Sequence, residues 1–392
     1  MTESLPERAQ EPASDPPAND PPRAWWQFSL RSLFVVVTLL VIVLAWYVNG
    51  PERYRRAVAA LRASGATIWF AHNEPPYTGD ETARVFPREY FERLHSVLLD
   101  TVPQGTELPP LQELVGLQVL TIDEGWTVDD ASAASLAQLH ELTHLTISKN
   151  GLTDQGLAHL ASLESLVELD LNVKSVGDAG LEHLSRLTRL EKLRLVGWHN
   201  EASSAGYAAL ARLTNVKYLT LEFEKTGLTD EGLAHLCTLP RLEGLALVRA
   251  QATGEPFREF AARKTLRNLD LRGGLLADRS LAHLAGMDLE KLCLDDNPIT
   301  DAGLAHLAEL KVGRLLLAGT KISDAGLVHL RHPKAPGLWY VTVDRTKVTK
   351  RGVIELSKQR NPPSQITFHI YMGDFSPSLL PADLPESETP AP

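Results

Sequence analysis

Six histidines, His159, His183, His235, His283, His306 and His329, occupy one position of a recurring phrase. Histidines at regular spacing invite a metal site, but the ligands of a single ion must all come to within about 2 Å of it. Equivalent positions in stacked units lie at least one strand spacing apart, ~4.8 Å. The series therefore reads as a ladder and not as a ligand set. A second series, Asp154, Asp178, Asp230, Asp301 and Asp324, opens the same phrase. Calcium asks for about six or more oxygens around one point, whereas one carboxylate per unit at a helix start suits capping and the helix dipole. Cys293 falls at an outward strand position with no fixed His or basic neighbour to activate it. Phosphate-binding glycine loops, a zinc-protease helix and a nucleophile elbow are all missing from the chain. These residues point to a non-catalytic protein with no metal and no cofactor.

The elements that position these side chains come from an internal repeat. The pattern Leu-x-x-Leu-x-Leu returns every 23 to 26 residues, and its first copy is Leu94, Val97 and Leu99. Eleven strand segments follow from it, starting at Leu94, Leu117, Leu142, Leu166, Leu190, Val216, Leu242, Leu266, Leu289, Val312 and Leu338. A closing strand is expected at Ile366–Ile370. In each copy the last two apolar residues flank a polar one, which puts them on one face of a strand. Between copies stands the phrase Leu152-Thr153-Asp154-Gln155-Gly156-Leu157-Ala158-His159-Leu160. Thr153 or Asp154 can cap the helix start, Gly156 relieves crowding between units, and Leu157 and Leu160 face inward. Units of this size cannot bury an apolar face alone and must stack in one continuous core.

Composition sets further bounds. The net charge of −10 and the absence of a basic stripe argue against a nucleic-acid binder. The two cysteines, Cys237 and Cys293, lie in units two apart, too far for a disulfide, which needs Cα atoms within about 7 Å. Residues 1–24 and 372–392 are rich in proline and polar residues and are expected to be disordered tails. From Phe28 to Val48 the chain is uncharged apart from Arg31 and mostly apolar, and 21 residues at 1.5 Å each span ~31 Å, enough for a single transmembrane helix. The alternative is a cleaved signal peptide, with Val43 and Ala45 before the cut. The preceding region is long, acidic and proline-rich, which favours the anchor. Arg53, Arg55, Arg56 and Arg62 follow the span, which leans toward a cytoplasmic repeat domain. Residues 51–93 are expected to form a helix and strand adaptor, and 94–370 the repeat domain.

The units resemble leucine-rich repeats of the Thr-Asp-x-Gly-Leu variety, found in F-box-associated and bacterial repeat proteins. The terminal asparagine of that family's strand motif is present in Leu145-Thr146-Ile147-Ser148-Lys149-Asn150 and in Leu292-Cys293-Leu294-Asp295-Asp296-Asn297. The leader Trp26-Gln27-Phe28-Ser29-Leu30-Arg31-Ser32-Leu33 is similar to that of membrane-anchored planctomycete repeat proteins. The resemblance implies an α/β solenoid with parallel strands on the concave face and helices on the convex face. No F-box-like segment is evident, so a ubiquitin-ligase role does not carry over.

What remains for function is surface. Glu168 and Asp170 are expected beside Lys192 and Arg194 on neighbouring strands, where a lateral ion-pair ladder is the simplest reading. The units starting at Leu190 and Val216 are 26 residues long, with the extra length expected in loops after the strand. Those loops would carry Trp198, His199, Phe223 and Glu224, with Tyr218 on the strand between. The candidate partner-binding residues are therefore Lys192, Arg194, Trp198, His199, Tyr218 and Phe223. The expected function is protein–protein interaction by a membrane-anchored module with no small-molecule substrate. The alternative is an envelope-organising protein that associates with itself.

Overall fold

The computed structural model describes residues 56–61, 63, 67–70, 94–99, 367–369 and 106–358, the last with gaps at 109–110, 115, 149–150, 309 and 332–337. All of them belong to one compact unit, Tyr54–Pro392. The apolar run Phe28–Val48, both tails and Asn150 lie outside the described residues. Among the described residues no helix is long and apolar enough to cross a membrane.

The apolar row of the repeat builds a single sheet of 13 strands in sequence order. They are β1 (Thr67–Phe70), β2 (Leu94–Leu99), β4 (Val119–Ile122), β6 (His144–Ile147), β7 (Glu168–Val176), β8 (Lys192–Asn200), β9 (Tyr218–Thr226), β10 (Gly244–Val248), β11 (Asn268–Asp270), β12 (Asp288–Cys293), β13 (Lys311–Leu316), β14 (Tyr340–Thr342) and β15 (Thr367–His369). Two short strands, β3 (Thr106–Glu107) and β5 (Trp126–Thr127), pair separately. From β2 onward the strands of the large sheet are parallel. The register carries one leucine onto the next, Leu120, Leu145, Leu169, Leu193, Leu219, Leu245, Leu269, Leu292 and Leu315, and none of these exposes more than 2% of its surface. A one-residue slip anywhere would turn this row to solvent, so the buried face locks the register.

Strand β1 runs antiparallel to β2, with Thr67 opposite Leu98. It covers an edge that would otherwise offer unpaired backbone groups. A short helix α1 at residues 56–61 buries Ala57, Val58 and Leu61 in the same core as the repeats.

The second phrase forms the helical layer: α2 (Asp130–Leu136), α3 (Asp154–Leu160), α4 (Asp178–Leu184), α5 (Ser204–Leu210), α6 (Asp230–Leu236), α7 (Arg258–Arg263), α8 (Asp301–His306), α9 (Asp324–Leu327) and α10 (Lys350–Lys358). In α3, Leu157 and Leu160 are fully buried, as their spacing predicts. At the interior of the sheet-to-helix turn, Asn297 donates to the carbonyls of Leu271 and Leu294 and accepts from the Leu276 N–H. Thr320 and Thr346 take the same place and donate to Leu317 and Val343. Repeat, parallel sheet, helical layer and buried turn residue together make this a leucine-rich repeat solenoid.

The recurring Asp does something other than cap its own helix. Thr153 caps α3, accepting from the Gln155 N–H. Asp130, at the first position of α2, instead reaches the following unit, where it accepts from the Thr153 N–H (2.9 Å), the Thr153 hydroxyl (2.7 Å) and the Gly156 N–H (2.9 Å). Asp178 binds Ser203 and Gly206 in the same way, and Asp278, Asp301 and Asp324 bind Thr300, Ser323 and Thr349. A Cβ at Gly156 would collide with the Asp130 carboxylate. The Asp and Gly of the phrase are therefore two halves of one staple between neighbouring repeats.

Candidate interaction surface

The central strands β7, β8 and β9 each run 9 residues, longer than any of their neighbours in the sheet. The cause lies in Val173 and Phe223. Both prolong the inward alternation begun by Leu169 and Leu171 and by Leu219 and Leu221, and both are buried. The extra residues of the longer units are thus strand and not loop. Trp198 and His199 sit on the extension of β8, in a segment where Ser175, His199 and Lys225 are in register. Phe223 is 1% exposed, so it cannot touch a partner and leaves the candidate set. It belongs to the core because β9 continues past the point where a loop was expected.

The other candidates are at the surface, but most already have partners. Lys192 pairs with Glu168, and Arg194 with Asp170 at 2.9 Å and more loosely with Glu222 at 3.9 Å. Lys217 meets Glu191 at 2.8 Å, a contact that raises the lysine pKa and lowers that of the glutamate. Tyr218 lies over Gly244 and donates its hydroxyl to Glu243 at 3.2 Å, which raises its pKa. These are the lateral pairs expected of adjacent strands, and at this exposure solvent screens them. Trp198 and His199 are exposed at the far end of β8, and Trp198 is the large apolar one. It is 61% exposed, with exposed Lys174 and Glu224 at the matching places of β7 and β9.

Below this ledge Asn200 is buried, accepting from the Ala202 N–H and donating to the Tyr207 hydroxyl at 2.8 Å. Burial pushes the Tyr207 phenol up to about 12, so it remains protonated as a structural group.

A second surface was missed in the candidate set. Over β11 to β13, beside Trp339 at the entry to β14, lies a groove of about 600 Å³ whose lining includes Lys291, Lys311, Arg314 and Trp339. Trp339 is half exposed and lies across Gly313, where a Cβ would come within 2.9 Å of the indole Nε1. The Arg314 guanidinium lies against two rings, 5.7 Å from the centroid of Trp339 and 4.9 Å from that of Tyr340. The signal available in the sequence was a glycine in β13 one unit before a tryptophan, with Arg and Tyr following each.

The residues suspected of chemistry have structural places. Cys293 is buried and donates to Asp295 at 3.4 Å, and burial pushes its thiol up to about 12, so it is not a thiolate at neutral pH. Burial also raises the Asp295 carboxyl. Among the described residues no three His, Cys, Asp or Glu side chains converge as a metal site would need. Cys237 and Cys293 are both buried and form no disulfide.

No protein-family model matches the chain. No curated relative matches it either. Among solved structures it is similar to an internalin from Listeria monocytogenes, at 20% identity over 67% of this chain and 84% of that one, with a TM-score of 0.40. It is also similar to a TDR receptor, at 19% identity over 70% of this chain and 46% of the other, with a TM-score of 0.47. The leucine-rich repeat ectodomain of a plant membrane receptor kinase from Arabidopsis thaliana matches at 17% identity over 73% and 39% of the two chains, with a TM-score of 0.41. The chain thus spans less than half the length of those two receptors.

Proposed function

We propose that this protein is a membrane-anchored, non-catalytic interaction module that presents its sheet to a protein partner. The observation that carries this reading is Trp198, 61% exposed on a strand paired on both sides. Its backbone is immobilised, so little conformational entropy is lost when the ring docks, and Trp is enriched at binding hot spots. His199 stands beside it, Lys192, Arg194 and Tyr218 lie toward the starts of β8 and β9, and Phe223 is buried in β9. Eleven repeat strands at ~4.8 Å give roughly 50 Å of surface, enough for a standard interface.

The apolar run Phe28–Val48 supports the tether, with 51–93 linking it to repeats in 94–370 and with terminal tails at 1–24 and 372–392. The arginines that follow the run favour a cytoplasmic repeat domain. Protease protection in intact vesicles tests that side, and digestion of the repeats from outside would refute it. For the interaction itself, Trp198→Ala in the full-length chain should reduce partner cross-linking about tenfold or more and leave thermal unfolding unchanged. Undiminished cross-linking would remove the reading.

A further inference from the structure

We propose that the groove over β11 to β13, beside Trp339, binds an extended segment of a protein partner through the acidic side chains of that segment. This rests on the interaction reading above and adds a second site with a defined chemistry. The first outward row of the sheet places Lys291, Arg314 and Tyr340 side by side on successive strands. Lys291, Lys311 and Arg314 have no ion-pair partner among the described residues, whereas Lys192, Arg194 and Lys217 in the central strands are each paired with a carboxylate. The groove thus gathers three neighbouring cations with no carboxylate partner among the described residues, in a chain of net charge −10.

Arg314 makes the demand specific. Trp339 and Tyr340 each set a ring against its guanidinium, which restrains the side chain at the groove. Its Nε has no hydrogen-bond partner among the described residues. A carboxylate is the acceptor whose geometry suits a guanidinium. The exposed Trp339 ring beside it offers an apolar platform for the neighbouring residue of an extended segment. Asp288 and Glu290 stand at the same groove. They repel a uniformly anionic polymer, which favours a peptide with one or two carboxylates over a nucleic acid.

The test is selection of random linear peptides displayed on phage against the full-length chain. Enriched peptides should carry Asp or Glu at a fixed place. Their affinity should fall on the order of tenfold or more in Arg314→Gln and in Lys291→Gln, weaken with salt, and survive in Lys192→Gln. Lys311→Gln serves as a further variant if thermal melting shows that Arg314→Gln is not folded. Enriched peptides without carboxylates, or peptides that bind Arg314→Gln undiminished, would overturn the proposal, as would no enrichment at all. Peptides that lose binding only in Trp198→Ala would overturn the groove while supporting the interaction reading. Tighter binding of a single-stranded oligonucleotide than of any peptide, abolished by Arg314→Gln, would also overturn it.

Discussion

In β7, β8 and β9 the strand continues for 9 residues because Val173 and Phe223 keep the inward alternation going. In the later repeats it stops at a turn residue of positive φ: Arg249, Gly273, Asp296, Gly319 and Arg345 stand at equivalent places with φ between 55° and 68°. A β-branched valine cannot easily adopt that conformation, so a single apolar residue decides between strand and turn. The two solutions leave different surfaces. The central strands pair Lys192 and Arg194 with lateral carboxylates and leave Trp198 exposed. The later strands are short, their turns stack an Arg345–Asp296 pair at 3.0 Å across Gly319, and the cations of the groove stay unpaired. The lesson is that the stacking geometry is common to both regions, whereas recognition chemistry depends on which charges the geometry has left over.

Four perturbations separate the two regions. Phe223→Ala should have the largest effect, about 3–5 kcal/mol, since it empties the core beneath the extended strands. Urea unfolding of the full-length chain measures it, and a loss under ~1 kcal/mol would mean that the extension does not depend on that ring. Gly319→Ala is the counterpart in the later repeats. Its φ of +68° and the Asp296 carboxylate facing any Cβ there predict a cost of roughly 1–3 kcal/mol. The staple comes next: Asp301→Ala strips the acceptor from the Ser323 N–H and hydroxyl and should cost about 1–2 kcal/mol. Exposed pairs come last. Lys192→Met should change stability by less than ~1 kcal/mol, and by less still at high salt.

The regions should also respond to pH with opposite signs. Asp178, beneath the central strands, has a lowered pKa, chiefly from the Ser203 hydroxyl it binds. Its contribution is present above the ordinary carboxylate value and is lost as pH falls through the lower folded value. Asp295 has a raised pKa because it is buried. Its protonated form favours the folded state, so that contribution is full below the ordinary carboxylate value and is lost as pH rises through the folded value. Asp178→Asn should flatten the acid limb of a stability-against-pH curve, whereas Asp295→Asn should remove a decline on the higher side of the carboxylate range. Identical curves for both variants would contradict the assignment.

Much of the architecture was legible because it repeats. The register leucines, Leu157 and Leu160 of the helix, the early start at Leu94 and the closing strand all follow from one period. The strand extension escapes because the extra length of the units at Leu190 and Val216 reads as loop, although the alternation continues through Phe223. The staple escaped for another reason: nothing in a single copy of Thr-Asp-x-Gly-Leu says that Asp130 binds the next copy, since the contact spans two units. The groove depends on Gly313 lying under Trp339, a relation across strands that only the register reveals.

The central claim is that the sheet, and not the helical layer, meets the partner. Photo-cross-linking groups placed singly at Trp198, at Trp339 and at Glu231 on α6 in the native cell test it most directly. The account predicts discrete cross-linked products from the first two positions and none from Glu231. Equal products from all three positions, or products from Glu231 alone, would contradict it.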